Sequence, residues 1–413
     1  MQPFAVVTIL LVLTSPLVAG ETVTIPLNGH NFTLPAGFTI EVAARSPLIE
    51  RPVTISFDEV GHLYVADSSG SNEKLTIQLE KKPHRIVRLD PAIDGVFKTG
   101  HVFADKMMFL EGTMWHKGSL YVAAPPSIWK LTDTTGHGVA DQRVEWYQGK
   151  TLGNCGNDLH GPWLGPDGWF YWTKGGFQRQ KHVFAGKEIE TRASILFRSK
   201  PDGSGREPIM VGGMDNPVGL AFTPGGEPIL TNTFLVYPSN GQRDGLIHAV
   251  YGGVYGKDFA DVLAPHIRTS TKLMPVLEHL GPAAPTGIVR YDSDVFGKEY
   301  QDNMFVGQFN LRKVSRHILT PKGATFESKS SDFVVSDNHD FHPTDVVMDA
   351  DGSLLVVDTG GWYKLCCPTS QLVKPDVMGA IYRVRKVGAK GPDDPRGLGI
   401  DWTESTPRML GKL

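Results

Sequence analysis

The chain has 413 residues, of which 40% are hydrophobic and 21% charged, and a formal net charge of −3. This composition is typical of a globular protein with a sizeable core and argues against a disordered chain. The nearly neutral charge provides no basic surface for nucleic acid or an anionic membrane, so neither is expected as a partner. The 46 Gly and 29 Pro residues indicate many tight turns between short strands.

Residues 1–20 are predicted to be a secretory signal peptide. Residues 5–19 form an apolar run that is too short for a comfortable membrane span, and the run ends in the small residues Ala19 and Gly20. A buried N-terminal strand is the alternative. Cleavage before Glu21 would give an exported protein, periplasmic or extracellular, with no membrane span after cleavage.

From residue 52 onward the chain repeats one pattern: a Pro or Gly, an apolar strand, a polar turn and a second apolar strand. A further alternating pair of strands follows each copy, as half-buried antiparallel strands require. The copies start about fifty to seventy residues apart, at Pro52, Gly112, Gly161, Pro217, Pro285 and Pro343. Six units of four strands predict an all-β fold, a six-bladed β-propeller over residues 21–388. Five or seven blades would result if a unit has been merged or split.

The segments before and after the six repeats are predicted to have different structures. Residues 21–48 are expected to hold a strand pair around 38–43. The strand at 38–43 is placed to close the ring against the last blade, and this pairing would remove the open sheet edge. The character of the sequence changes beyond Lys386. Residues 389–413 are predicted to be a linker and the start of a truncated helical segment, too short to form a domain.

Polar residues that precede the inner strands are the candidates for a functional site, because the first strand of each blade lines the central channel. They could supply a general base, oxygen ligands for a metal, and partners for anions. For single Asn and Asp residues, the alternative is that they cap strand ends and tie turns. The candidates are Asn157, Asp158, His160, Asp215, Asn216, Asn310, Arg312, Lys313, His342 and Asp345.

Residues 133–141 have the layout of an acidic calcium loop. Thr135 and His137 stand where such a loop carries further carboxylates, so that Asp133 and Asp141 are the remaining candidate metal ligands. We interpret the segment as a turn that has lost, or nearly lost, its metal.

The three cysteines do not form a disulfide framework. Cys366 and Cys367 are adjacent and Cys155 is distant. A vicinal disulfide, a bridge from one of the neighbours to Cys155, and three buried thiols all remain open.

Three stretches resemble the soluble quinoprotein glucose dehydrogenases, and the first looks like the segment that carries their catalytic His. These stretches are 160–171, 216–224 and 252–256. Over residues 35–388 the chain more closely resembles the membrane-bound dehydrogenase domain family abundant in planctomycetes and their relatives. The hallmarks of that family stand at 133–141, 305–310 and 358–368.

The resemblance implies a sugar or polyol dehydrogenase that uses pyrroloquinoline quinone (PQQ). His160 would be the general base that removes a hydroxyl proton while hydride passes to the quinone. Calcium is the second implied cofactor, at the loop of Asp133 and Asp141. The sequence has no Cys-x-x-Cys-His haem motif, so electrons would pass to a separate acceptor such as a cytochrome c. The cofactor would be held by Asn157, Asp158, Asn216, Asn310, Arg312, Lys313, His342 and Asp345.

The chain departs from the quinoprotein pattern at the residues that hold the cofactor. Asp215 stands where the family has an Arg, and His342 and Thr344 replace two further Arg residues. A carboxylate at 215 would repel the cofactor's own carboxylates.

These departures favour two alternatives. One is a metal-dependent lactonase or lyase, with a cation held by Asp158, Asp215, Asp345 and Asn216. The other is a non-catalytic scaffold that binds carbohydrate or protein through Trp163, Trp169, Tyr237, Trp362 and Tyr363.

Overall fold

A computed structural model describes residues 20–153, 158–363 and 372–400. Several predictions concern residues outside these ranges: most of the signal peptide, Asn157, all three cysteines and the predicted helical start after residue 400. The described residues form 31 strands and one short helix, α1 (Leu75–Lys81). No described helix is long and apolar enough to cross a bilayer.

The first half of the chain holds strands β1 to β17. These are β1 (Thr22–Leu27), β2 (His30–Pro35), β3 (Phe38–Arg45), β4 (Pro52–Phe57), β5 (Leu63–Asp67), β6 (His84–Leu89), β7 (Gly100–Met107), β8 (Gly112–His116), β9 (Ser119–Ala124), β10 (Ser127–Thr132), β11 (Gln142–Gln148), β12 (Leu159–Leu164), β13 (Phe170–Lys174), β14 (Gln180–Phe184), β15 (Lys187–Thr191), β16 (Ser194–Ser199) and β17 (Glu207–Gly213).

The second half holds strands β18 to β31. These are β18 (Pro217–Phe222), β19 (Pro228–Asn232), β20 (Asp244–His248), β21 (Gly253–Gly256), β22 (Glu278–Gly281), β23 (Pro285–Tyr291), β24 (Asn303–Gln308), β25 (Lys313–Lys322), β26 (Thr325–Ser336), β27 (Pro343–Met348), β28 (Leu354–Asp358), β29 (Trp362–Tyr363), β30 (Leu372–Val373) and β31 (Ala380–Lys386).

The strands form six blades around a central axis, which confirms the predicted six-bladed propeller. From the axis outward, blade one is β4-β5-β6-β7, blade two β8-β9-β10-β11 and blade three β12-β13-β16-β17. Blade four is β18-β19-β20-β22, blade five β23-β24-β25-β26 and blade six β27-β28-β31-β3. Each inner strand contacts the inner strand of the next blade, and β27 contacts β4 to complete the ring.

The hydrophobic core is divided into six clusters, and each lies between two neighbouring blades. Trp172, among the largest fully buried side chains, stacks on Phe197 with ring centroids 5.4 Å apart and packs with Leu159 and Tyr121 in the cluster between blades two and three. Adjacent blades are therefore held together mainly by burial of apolar surface between them.

Blade six contains strands from both ends of the propeller. β3 pairs antiparallel with β31, with Ile40 opposite Val384, which confirms the predicted closing strand. Arg383 of β31 is buried and donates from Nη1 to Asp349 Oδ2 (2.7 Å) and from Nε to the carbonyl of Gly95 in blade one (2.9 Å). The last blade is thus joined to the first by hydrogen bonds as well as by packing.

The structure differs from the sequence prediction in two places. The residues before β3 form the hairpin β1–β2, which extends blade five by pairing with β26 instead of joining β3 in a sheet. The segment at 252–256, which resembles a turn of the quinoprotein family, contains β21, which runs parallel to β17 at the edge of blade three. Both segments lie at outer sheet edges, where pairing depends on distant partners and leaves little local signal.

Candidate active site

The central channel is a cavity of about 1270 Å³ lined by the inner strands of all six blades. Its two ends differ in chemistry. The end where the inner strands finish is mainly apolar, with Phe57, Trp115, Leu164 and Phe222 in its wall. The end where they begin, here called the polar mouth, is lined by Glu111, Asp158, His160, Asp215, Asn216, Arg243, Asn310 and Thr359.

His160 lies in the polar mouth on β12, as the sequence predicted. The pairing of β12 with β13 is irregular between His160 and Trp163, and bulges of this kind frequently redirect side chains next to functional sites. His160 is 8% exposed and lines the channel. Its Nδ1 lies 3.9 Å from Glu111 Oε2, which is near enough for an electrostatic interaction but too long for a hydrogen bond.

Glu111, directly before β8, was not among the predicted site residues. Its Oε2 accepts a hydrogen bond from the backbone N–H of Leu159 (3.3 Å). Burial raises the pKa of Glu111 well above its usual value, and the nearby Asp158 carboxylate raises it further. Both effects favour the neutral, protonated form of Glu111. Its position immediately before an inner strand, the rule applied to the other blades, could have identified it.

Asp158 forms a buried ion pair with Lys174, a residue that the sequence analysis also missed. Lys174 Nζ donates to Asp158 Oδ2 (2.6 Å) and to the carbonyl of Thr151 (2.9 Å). Asp158 is 6% exposed, and its Oδ1 has no hydrogen-bond partner within the described part of the chain. The pair places a neutralised carboxylate in the channel wall.

Asp215 also has a cationic partner. Lys257 Nζ donates to Asp215 Oδ1 (2.6 Å) and lies 4.5 Å from the ring centroid of Phe177 and 5.6 Å from that of Phe234. Burial raises the pKa of Asp215, against the opposing effect of Lys257. Lys257 thus offsets the carboxylate that, from the sequence, was expected to repel an anionic cofactor.

Asn216 and Asp158 are brought together at Gly175, the residue after β13. A methyl group placed on Gly175 would lie 2.5 Å from Asn216 Oδ1 and 3.0 Å from Asp158 Cβ. Only glycine fits at this close approach. The side chains from blades three and four therefore face the same part of the polar mouth.

The three candidates from blade five lie in different surroundings. Asn310 lines the channel and donates from Nδ2 to the carbonyl of Pro282 (3.1 Å). Arg312 Nη1 lies 2.9 Å from His339 Nδ1, and no carboxylate within residues 158–363 or the other described ranges pairs with this guanidinium. Lys313 pairs with Asp332 on β26 (2.7 Å) and does not line the channel.

The two candidates of blade six mainly make hydrogen bonds within that blade and to blade one. His342 Nδ1 lies 2.8 Å from the carbonyl of Gly360, and its ring stacks on Phe309. Phe309 lines the channel, whereas His342 does not. Asp345 Oδ2 accepts from Thr54 Oγ1 (2.8 Å) and Ile55 N (3.2 Å), which joins the inner strands of blades six and one. Burial raises the pKa of Asp345 to about 6. Their assignment to cofactor binding stays a prediction.

The carboxylates of the 133–141 loop are occupied by the loop's own donors. Asp133 Oδ1 accepts from Gly136 N (2.8 Å) and its Oδ2 from Gly138 N (2.6 Å), while Thr134 Oγ1 donates to Asp141 Oδ1 (2.9 Å). The loop lies outside the channel lining. The assignment of Asp133 and Asp141 to metal binding stays a prediction.

Metal-binding side chains do not converge elsewhere within the described ranges either. No three His, Cys, Asp or Glu side chains there are placed to hold an ion. This set includes Asp158, Asp215 and Asp345, whose oxygens instead bond to Lys174, Lys257 and Thr54.

Comparisons with known proteins agree with this architecture. A family model described as a domain of unknown function, DUF7133, matches residues 28–391. No curated protein matches the sequence significantly. Among solved structures, the holo form of the PQQ domain of pyranose dehydrogenase from Coprinopsis cinerea is 13% identical, with a TM-score of 0.57, and the match covers 87% of this chain and 98% of that one.

Two other similar structures have related descriptions. The PQQ-bound aldose sugar dehydrogenase from Streptomyces coelicolor is 14% identical, with a TM-score of 0.54 and coverage of 85% and 100%. The calcium structure of a Trichoderma reesei carbohydrate-active enzyme of family AA12 is 12% identical, with a TM-score of 0.60 and coverage of 86% and 96%. At these identities the likeness shows a shared propeller fold, and the resemblance to the planctomycete family stays a prediction.

Proposed function

The chain belongs to the DUF7133 family, whose function is unknown, and we propose that it oxidises a hydroxyl group of a sugar or polyol with His160 as the general base. The proposal depends on one observation above all: a histidine in the wall of the channel's polar mouth, 3.9 Å from the carboxyl group of the buried Glu111. The fold shared with a pyranose dehydrogenase and an aldose sugar dehydrogenase supports the substrate class.

In this proposal the protein's own residues bind the substrate hydroxyl and accept its proton. Burial raises the pKa of Glu111 and so favours its neutral form, which places no negative charge beside the His160 imidazole that would favour the charged form of the ring. A neutral imidazole can accept the hydroxyl proton. The polar residues of the mouth would hold the reacting hydroxyl group close to the imidazole.

The residues of the mouth fit an anionic quinone better than the sequence suggested. Lys174 and Lys257 offset Asp158 and Asp215, and Glu111 is expected to be neutral, so the mouth is not a cluster of unpaired negative charge. Asn310 and Asn216 line the mouth and would provide polar contacts to the quinone. Arg312, two residues after Asn310, is outside the channel lining; it lacks a carboxylate partner within the described ranges and would hold a carboxylate of PQQ if the cofactor extends that far. When bound, PQQ supplies the hydride acceptor.

A ligand titration tests the cofactor. We expect the melting temperature of the purified protein to rise with PQQ plus calcium but not with calcium, magnesium or zinc alone. Arg312→Met should abolish most of this rise. Arg143→Met should keep it, because Arg143 lies on β11, the outer strand of blade two, and pairs with Asp105 on β7 of blade one, away from the channel. A rise with a divalent metal alone would instead support the lactonase or lyase alternative, and no rise with any ligand would support the scaffold.

Substitution of Glu111 tests its protonation state. Gln has the shape of a protonated Glu, so Glu111→Gln should keep kcat within about threefold of the natural protein at pH 7. Above the raised pKa of Glu111 the natural protein should differ from the variant, because a carboxylate then forms beside His160. The pH profile of kcat/KM for both proteins provides the measurement. A loss of a hundredfold or more at pH 7 would show that Glu111 acts as a carboxylate.

Two further expectations belong to this proposal. Export through residues 1–20 predicts that protein recovered from the periplasm or medium begins at Glu21, which N-terminal sequencing would show. Electron transfer to a separate acceptor predicts that a soluble cytochrome c is reduced only when protein, quinone and sugar are all present.

A further inference from the structure

The wall of the polar mouth contains a buried acceptor atom without a donor. Asp158 lines the channel and is 6% exposed, and its Oδ1 has no hydrogen-bond partner in the described structure, whereas Oδ2 is bonded to Lys174. Buried polar atoms nearly always have a partner, and leaving one unpaired is costly. A ligand that enters the channel with a donor group would satisfy this atom.

The carboxylate of Asp158 is held in one position by its surroundings. Lys174 is fully buried and is itself fixed by the carbonyl of Thr151. The backbone N–H of Gly175 donates to the Asp158 carbonyl (2.6 Å), and Gly153 packs closely enough that a methyl group there would lie 3.2 Å from Oδ2. An acceptor fixed in this way can discriminate between ligands by the position of their donors.

A hydroxyl group fits this acceptor better than a cation does. Lys174 already neutralises the Asp158 charge, and within the described ranges no further two carboxylate, imidazole or thiol groups complete a metal site around it. A hydroxyl group can donate to Asp158 Oδ1 and also interact with the Asn216 amide, because both side chains approach the same side of Gly175.

The spacing of Asp158 and His160 points to two hydroxyl groups on one substrate. The residues are two apart at the start of an extended strand, so their side chains project to the same side, with Cα atoms roughly 6–7 Å apart. Both line the channel. One substrate can therefore reach both residues with hydroxyl groups on neighbouring or next-neighbouring carbons.

We propose that Asp158 is a specificity-determining residue whose Oδ1 accepts a hydrogen bond from a second hydroxyl group of the substrate, and that Lys174 is the residue that positions it. The substrate must then present two hydroxyl groups at once, one to His160 and one to Asp158. This inference rests on the proposed function only in taking the ligand to be a hydroxyl-bearing substrate.

Calorimetric binding with defined probes tests the inference without turnover. Glucose and sorbitol, with deoxy analogues that each lack one hydroxyl group, would be titrated into the natural protein and Asp158→Asn. We expect Asp158→Asn to weaken binding of the best probe about tenfold or more, the effect of losing a hydrogen bond to a charged group. One deoxy analogue should bind both proteins equally, because it lacks the hydroxyl group that Asp158 recognises.

Two further variants separate recognition from folding. Asp158→Asn leaves Lys174 buried without its charged partner, so the double variant with Lys174→Met, which removes both charges, should melt nearer to the natural protein and still bind the best probe weakly. Glu327→Gln removes a carboxylate from the exposed ion pair with Lys322 on blade five and should bind all probes as the natural protein does.

The outcomes distinguish this inference from the proposed function. Unchanged probe affinity in a folded Asp158→Asn would overturn the role of Asp158, and the oxidation chemistry would be unaffected. Weakened affinity together with full oxidation activity of a His160 variant would overturn the proposed function but support Asp158 in recognition. Glucose and sorbitol would be tested at about 10 mM and at a roughly tenfold higher concentration. If neither binds the natural protein, both the role of Asp158 and the proposed function are overturned.

Discussion

Replacement of His160 by Asn is expected to lower kcat for sugar or polyol oxidation by about 10²–10⁴-fold, the usual contribution of a positioned general base. Asn keeps a polar side chain in the channel wall but cannot accept and carry the proton. KM should change little, because His160 acts on the reacting hydroxyl group and Asp158 and Asn216 provide other contacts in the proposed site. Steady-state rates of the PQQ-loaded protein with an artificial electron acceptor provide the measurement.

The matched control is His279→Asn, which changes an exposed histidine on the outermost strand of blade four. It should retain the natural rate. The natural protein should also lose activity as the pH falls and the imidazole becomes protonated, whereas the residual activity of His160→Asn should lack that step. Equal rates for His160→Asn and the natural protein would rule out His160 as the base.

Asp358→Asn is expected to stabilise the protein at alkaline pH. Asp358 ends β28, and its Oδ1 accepts hydrogen bonds from the backbone N–H groups of His342 (2.8 Å) and Gly360 (2.9 Å). Burial raises the pKa of Asp358 to about 7, and the nearest imidazole nitrogen, His30 Nε2, lies 3.9 Å away on a ring whose own pKa burial lowers. The charged form of Asp358 is therefore poorly compensated in the folded state.

The direction of the pH effect follows from linkage. The pKa of Asp358 is higher in the folded protein than the value near 3.9 expected in the unfolded chain, so between these values the folded state binds more protons. This contribution to stability is complete below pH ~4 and is lost as the pH rises through 7. Asn imitates the protonated acid and avoids the loss, which amounts to about 2–4 kcal/mol at pH 8.

Denaturant unfolding at pH 4.5 and pH 8 provides the measurement. The natural protein and Asp358→Asn should be similarly stable at pH 4.5, and the variant should be more stable at pH 8. Asp345→Asn is the contrasting variant, because both Asp345 oxygens accept hydrogen bonds and an NH₂ group would face a backbone N–H. It should destabilise the protein at both pH values. Lower stability of Asp358→Asn at pH 8 would contradict the assigned pKa.

The number and positions of the blades could be predicted from the sequence because each repeat has a local pattern of apolar and polar residues. Inner strands begin within one or two residues of the predicted copies, at Pro52, Gly112, Leu159, Pro217 and Pro285, and in blade six at Pro343. The alternation of apolar and polar residues depends only on which face of a strand is buried, so it can be read without knowing the neighbours. The same rule placed His160, Asp158 and Asn216 in the channel wall.

The partners of these residues could not be found in the same way. Lys174 reaches Asp158 across the hairpin of blade three, and Lys257 reaches Asp215 from a loop 42 residues further along the chain. A sequence pattern does not specify such contacts, because they depend on how blades and loops pack. For Asp345 the sequence rule found the residue but not its contacts. Its carboxylate accepts hydrogen bonds from Thr54 and Ile55 and so joins blades six and one.

The pairing of β3 with β31 has a consequence for biogenesis. Residues 38–45 are synthesised early, but their partners at 380–386 emerge only after nearly the whole chain has been made. Until then β3 has no neighbour in its sheet, because its only partner in blade six is β31, and apolar residues such as Phe38 and Ile40 are without their final cover. Pairing over so long a sequence separation is slow and leaves strand edges open to aggregation. Folding of the ring is therefore expected to be completed after synthesis, and an exported chain would be delivered with its two closing strands still apart.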